Sequence, residues 1–68
     1  MPEYALKSGQ TVIEVLISAG LVKSKSEGRR MVEQKGVRLD GEIIQEFDEK
    51  FPHQGVLQVG KRRFVKVT

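Results

Sequence analysis

The stretch SKSEGRRMV at residues 24–32, followed by KGVRLDGE at residues 35–42, decides the fold of this 68-residue chain. Ser24 and Glu27 have the spacing of a capping box, in which a hydroxyl and a Glu side chain satisfy backbone N–H groups at a helix start. Three small or apolar residues then recur on one helical face: Gly28, Met31 and Val32. The pattern predicts an amphipathic helix that runs to about Lys35 and stops at Gly36.

Residues 37–44 predict a β-hairpin, because the Asp-Gly pair at 40–41 is typical of a two-residue type I′ turn. Such a turn places Val37 opposite Ile44 on one face of the hairpin. We expect Val37, Leu39 and Ile44 to pack inward.

A second capping box, formed by Thr11 and Glu14, predicts a largely buried helix upstream that ends at Gly20. The connection of residues 21–23 is short enough to make the two helices spatial neighbours. Residues 1–10 have no hydrophobic period and are expected to be a linker, so that the domain proper is residues 11–68.

After the hairpin, residues 45–55 are acidic and irregular, and we expect a loop fixed to the core by Phe47 and Phe51. Residues 56–59 and 64–67 then predict two strands around a basic turn, with Phe64 packed in the core. The fold class is therefore α+β, with two packed N-terminal helices followed by a small antiparallel sheet.

The charges are unevenly distributed along the chain. Ten of the 12 Lys and Arg residues lie in residues 23–38 and 61–66, where only Glu27 and Glu33 oppose them. The rest of the chain has two Lys against seven acidic residues. If folding brings the two basic segments together, the resulting field attracts a polyanion.

Composition excludes several classes of protein. The chain has no Cys and a single His, His53, so zinc-finger spacings and disulfide frameworks are absent and a reduced compartment such as the cytoplasm is expected. No apolar run approaches the roughly 20 residues needed to cross a bilayer. We find no constellation of acid, base and nucleophile, and therefore expect no catalytic residue, no metal and no cofactor.

The basic residues point to a partner with phosphate groups. Lys23, Lys25 and Ser26 lie at the start of the second helix, where a cation is unfavourable to the helix dipole. A phosphate could accept from first-turn amides there, with Lys25 and Arg29 neutralising its charge, while Arg30 projects from the other flank. With few aromatic residues, backbone and shape recognition of folded RNA is favoured over single-strand binding.

The quoted stretch, with its capped helix, paired arginines and Asp-Gly hairpin, resembles the RNA-binding domain first described in small-subunit ribosomal protein S-four. The closing segment VLQVGKRRFVKV at residues 56–67 is similar to the C-terminal end of bacterial tyrosyl-tRNA synthetases. The resemblance covers nearly the whole chain from Thr11. Gly28 stands where the family commonly has Ala, and Lys35 where it commonly has Gly.

The resemblance implies a binding module rather than an enzyme, with catalysis in an upstream body. Its partner would be tRNA-Tyr, held at the variable arm and anticodon stem, or another structured RNA; the isolated domain would be a monomer and the parent synthetase a homodimer. The implied RNA-facing residues are Lys23, Ser24, Lys25, Ser26, Arg29, Arg30, Lys61, Arg62 and Arg63. Two alternatives stay open: an rRNA-targeting module of another S-four-domain protein, and a basic protein-interaction module.

Overall fold

The computed structural model describes residues 2–68 and has two helices packed on one face of a five-stranded sheet. The elements in chain order are β1 Glu3–Tyr4, α1 Val12–Ser18, α2 Lys25–Glu33, β2 Val37–Leu39, β3 Glu42–Ile43, β4 Gly55–Val59 and β5 Arg63–Val67. The strand order is β1-β5-β4-β2-β3, and the four strands β2 to β5 pair antiparallel. The predicted α+β class, with helices preceding the main sheet, is confirmed. Neither helix is long and apolar enough to span a membrane within the described residues.

The start of α1 is fully capped. Thr11 Oγ1 accepts a hydrogen bond from Glu14 N at 3.3 Å, and Glu14 Oε1 accepts one from Thr11 N at 3.1 Å, which confirms the predicted capping box. The next two amides, of Val12 and Ile13, donate to the carbonyl oxygens of Glu49 and Phe47, each at 2.9 Å. The loop of residues 45–55 therefore covers this helix end.

The start and end of α2 differ from the expectation in detail. Ser24 Oγ accepts from Glu27 N at 3.2 Å, but the reciprocal bond of a capping box is not seen among the described residues. The helix ends at Glu33, and Lys35 rather than Gly36 adopts the left-handed conformation, with φ 60°. The expected end of the helix at Gly36 was wrong, because α2 ends at Glu33 and the non-Gly residue Lys35 takes the left-handed conformation.

The β2–β3 hairpin has the predicted turn and register. Asp40 and Gly41 both have positive φ, of 51° and 86°, as a type I′ turn requires. Arg38 faces Ile43 across the two strands, and Ile44 N donates to Val37 O at 2.9 Å. Asp40 also binds the neighbouring strand, because its Oδ1 accepts from Val56 N at 2.9 Å.

Strand β1 lies within the first ten residues, which were expected to be a linker without a strand. It pairs parallel with β5, with Glu3 beside Lys66 and Tyr4 beside Val67. Leu6 N extends this contact by donating to Thr68 O at 2.9 Å, and Tyr4 and Leu6 pack against the core. The first residues of the described chain are thus part of the sheet, which becomes mixed at this edge.

The core lies between the helices and the inner face of the sheet. Val15, Leu16, Val37 and Leu57 are fully buried, Phe51 is buried, and Phe47 packs partly buried against the same cluster, so both aromatic residues fix the loop as predicted.

Phe64 does not lie in the core. It is 39% exposed and faces Gln58 on the outer side of the sheet. Val65 and Val67, on either side of Lys66, take the inward positions because alternate residues of a strand face opposite ways. The expectation of a core Phe64 was therefore wrong.

Candidate nucleic-acid interface

All nine residues implied to face RNA are exposed. They are distributed over the connection between the helices, both flanks of α2, and the turn between β4 and β5. The fold thus places both basic segments at the surface, but it divides their side chains between distinct sites.

The largest concentration of cations lies in a groove between α2 and the β4–β5 turn, which we call the α2–turn groove. Its volume is about 550 Å³. Four cationic residues line it together with one acid, Glu27: Arg30, Lys61, Arg62 and Arg63. Met31, Leu21 and Val59 contribute an apolar floor. Residues of both basic segments therefore meet in this groove, Arg30 from the first segment and the turn residues from the second.

Arg63 has a structural partner within this groove. Its Nη1 donates to the carbonyl oxygen of Leu21 at 2.7 Å, which ties β5 to the connection between the helices. A guanidinium has five N–H donors in a fixed plane, so the remaining donors can still bind an anion. Arg63 is therefore held in one orientation before any partner arrives.

The other flank of α2 is a separate site, which we call the Phe47 flank. Lys25, Ser26 and Arg29 lie there with Ile13, Phe47 and Asp48 around a hollow of about 350 Å³. Arg29 has two internal partners: its Nε lies 3.0 Å from Glu33 Oε1, and its guanidinium carbon lies 5.1 Å from the centre of the Phe47 ring. Sequence reasoning missed both contacts.

The start of α2 remains accessible between the two flanks. Ser24 Oγ accepts from Glu27 N, but its hydroxyl proton is free to be donated to an anion. Lys23 and Lys25 are exposed on either side of it. This arrangement suits phosphate binding, since helix starts present amides and a positive dipole end.

The second basic segment does not act as one cluster. Lys66 lies on the outer face of β5, in register with Glu3 and Val56, whereas Arg63 points to the helix side. Arg38 likewise lies on the outer face, beside Gln58. Lys66 and Arg38 therefore lie outside the α2–turn groove, although both belong to the basic segments of the sequence. The alternation of apolar and charged residues in β5 was the signal that could have shown it.

No group of His, Asp and Glu that could hold a metal ion is found in the part of the chain that the structure describes. His53 is exposed in the loop, with its Nδ1 2.7 Å from Gln54 O and 3.8 Å from Asp40 Oδ2.

Comparison with known sequences identifies the family of this chain. The family described as tyrosine–tRNA ligase SYY-like C-terminal domain matches residues 1–67. This chain belongs to that family. The chain is 44% identical over 70 residues to tyrosine–tRNA ligase 2 of Vibrio cholerae, 42% over 69 residues to the tyrosine–tRNA ligase of Mannheimia succiniciproducens, and 41% over 73 residues to that of Geobacter sulfurreducens. Each match covers 100% of this chain.

The chain spans 18% of the length of each of these ligases. The family match includes residues 1–10, so the β1 segment lies within the region of similarity. The resemblance of the closing segment to tyrosyl-tRNA synthetases is confirmed by the family match.

Proposed function

We propose that this chain is the tRNA-binding part of a tyrosine–tRNA ligase and that it holds tRNA-Tyr through the α2–turn groove. The observation that carries the proposal is the convergence of Arg30, Lys61, Arg62 and Arg63 on one groove. Four cations around one hollow concentrate the positive charge that binding to several phosphates requires. Tyrosine activation and transfer belong, on this proposal, to the remainder of the ligase.

The groove supports recognition of the RNA backbone. Its floor of Leu21, Met31 and Val59 is apolar, while the cations stand at its rim. Phosphate oxygens would lie along that rim, with Lys23, Ser24, Lys25 and Ser26 extending the contact around the start of α2. The variable arm and the anticodon stem of tRNA-Tyr are helical surfaces of the kind that such a rim fits. The domain would act in the cytoplasm as a monomer when isolated and within a homodimeric ligase.

Within the proposed surface, we rank Arg30 above Arg29. The sequence favoured Lys25 and Arg29, because they share a flank with the first-turn amides. In the structure Arg29 is engaged by Glu33 and Phe47, whereas Arg30 lines the groove with the turn cations. A phosphate at Arg29 would have to displace a carboxylate, and one at Arg30 would not.

The test is a salt titration of tRNA-Tyr binding by the purified chain. Engagement of about four phosphates gives a log–log slope near −3 to −4. The variant Arg30→Ala with Lys61→Ala should weaken binding about tenfold at low salt and reduce the slope by about two.

The matched control is Lys7→Ala with Lys50→Ala, which removes the same charge from a different hollow, beside Gln10 and Phe51. It should leave the slope within about half a unit of the original. Equal effects of the two double variants would mean that net charge alone drives binding. A slope of zero for the unmodified chain, or tighter binding to an acidic peptide than to tRNA, would reject the proposed function in favour of a protein-interaction module.

A further inference from the structure

The face of the sheet that turns away from the helices carries an exposed aromatic ring. One row across this face consists of Ile43, Arg38, Gln58 and Phe64, which are paired in register on four neighbouring strands. We call it the outer row. Ile43 is 40% exposed and Phe64 39% exposed, and no helix covers the row within residues 2–68.

We propose that two members of the outer row, Phe64 and Arg38, bind an unpaired nucleotide of the RNA, with the base stacked on Phe64 and a neighbouring phosphate bound by Arg38. The inference rests on the proposed function and adds a second contact to it, of a different kind. Every base has a face that can stack on an aromatic ring, and a cation beside the ring completes a site for single-stranded RNA.

The spacing of the row suits a nucleotide. Strands in a sheet lie about 4.8 Å apart, so Phe64 and Arg38 are separated by about 10 Å across Gln58. Gln58 leaves this interval open, because its Nε2 donates to Gly60 O at 2.9 Å and holds the side chain towards the turn. Lys66, two residues beyond Phe64 on the same face, has Glu3 beside it in register. Arg38 has only Ile43 and Gln58 as cross-strand neighbours, which makes it the better phosphate ligand.

The row is also continuous with the α2–turn groove. Phe64 follows Arg63 directly and is the second residue of β5 after the basic turn. An RNA strand bound by Lys61 and Arg62 therefore needs to pass only around the end of the sheet to place a base on Phe64.

A protein partner fits the row less well. Interface cores are depleted in charged residues and present contiguous apolar surface. Here Arg38 and Gln58 separate the two exposed apolar side chains, Ile43 and Phe64. A polyanion with flat bases matches this alternation of cation and apolar side chain.

The experiment measures binding of a single-stranded hexanucleotide RNA and of tRNA-Tyr to the purified chain and its variants. Phe64→Leu keeps an apolar side chain but removes the ring, and should lower affinity for the hexanucleotide about fivefold, which corresponds to about 1 kcal/mol of base stacking. The salt slope should not change. Arg38→Ala should lower the slope by about one. Ile43→Ala, in the same row and equally exposed, should change affinity by less than about twofold.

Nuclear magnetic resonance of the Phe64 ring gives a direct readout, since a stacked base should shift its proton resonances upfield. An unmoved ring and an unaffected Phe64→Leu variant, with Arg30→Ala and Lys61→Ala still weakening tRNA binding, would overturn this inference and leave the proposed function intact. Two other outcomes would overturn it as well. One is self-association of the chain that Phe64→Leu abolishes. The other is protection of β4 and β5 amides from hydrogen exchange in the RNA-free full-length ligase relative to this chain.

Discussion

Helices α1 and α2 begin with the same local sequence signal but have different roles in the molecule. Each starts after a hydroxyl residue placed three positions before a Glu, Thr11 before Glu14 and Ser24 before Glu27. The start of α1 is enclosed, because two loop carbonyl groups accept from its first amides. The start of α2 is open and bears cations on both flanks. A helix cap therefore fixes where a helix begins, and the residues that follow decide whether it builds the core or meets a ligand.

The difference has an energetic side. Most of α1 is buried, so its side chains stabilise the fold by leaving water. In α2 only Gly28 and Val32 are buried, and the positive charges near its start oppose the helix dipole. Substitutions in α1 should therefore act on stability, and substitutions on α2 should act on RNA binding.

The largest effect is expected from Leu16→Ala in α1. Leu16 is fully buried, and such truncations destabilise proteins by about 2–5 kcal/mol. A domain of this size has a free energy of unfolding of about 3–10 kcal/mol, so the variant should lose a large part of its stability. Urea denaturation measures the loss. The half-exposed Ile43→Ala serves as control, with a loss below about 1 kcal/mol. A Leu16→Ala variant as stable as the control would contradict the assignment of α1 to the core.

The next largest effects distinguish the cap of α1 from the cap of α2 by their consequences for stability and for tRNA binding. Thr11→Ala removes the centre of a complete capping box and should lower the free energy of unfolding by about 1–2 kcal/mol. Its effect on tRNA affinity, measured where the variant is folded, should be negligible. Ser24→Ala breaks a single capping bond and should cost about 0.5–1 kcal/mol of stability, but it should also weaken tRNA binding. Thr11→Ser, which keeps the hydroxyl group, should restore most of the loss. Equal effects of Thr11→Ala and Ser24→Ala on both properties would remove the distinction between the helix starts.

A smaller effect is expected where the helices touch. A Cβ on Gly28 would collide with Ile13 Cδ1 and lie 3.3 Å from Val22 Cγ2. Gly28→Ala should therefore fail to deliver the gain of up to about 1 kcal/mol that Ala gives in a helix interior. Combining it with Ile13→Val, which removes the colliding methyl group, should release that gain and give a coupling energy of about 1 kcal/mol in a double-mutant cycle. Additive effects of the two substitutions would show that the Ile13 side chain moves aside at no cost.

Local signals in the sequence predicted most of the helices and strands. Contacts between residues far apart in the chain were not predicted. The caps at Thr11 and Ser24 and the Asp-Gly turn at 40–41 depend on residues three or four apart, so their chemistry is legible along the chain. Strand β1 was missed because two residues show no alternation and their partner lies near the other end of the chain. The same holds for the candidate site. Exposure of the basic residues followed from composition, but the bond from Arg63 to Leu21 spans 42 positions and depends on the finished fold.

The smallest effect concerns the two neighbouring arginines of α2, and it tests the comparison of the helices most closely. Arg29 and its partner Glu33 have side chains 63% and 59% exposed, and the cation precedes the acid, which is the weaker order for such a pair. With the contact to Phe47 added, Arg29→Ala should lower the free energy of unfolding by only about 0.5 kcal/mol. Affinity for tRNA-Tyr should fall less than about twofold, with an unchanged salt slope, because the guanidinium is already occupied.

Arg30→Ala should show the opposite pattern, with unchanged stability, weaker binding and a slope reduced by about one. Arg30 has no ion-pair partner in the described residues and faces the turn cations across the α2–turn groove. Thermal melts and salt titrations on the two single variants show which flank of α2 binds RNA. Arg29→Lys serves as a charge-conserving control. If Arg29→Ala reduces the slope by one and Arg30→Ala does not, then a phosphate displaces Glu33 from Arg29 on binding. The RNA would then bind the Phe47 flank, on the side of α2 that lies beside α1, rather than the α2–turn groove.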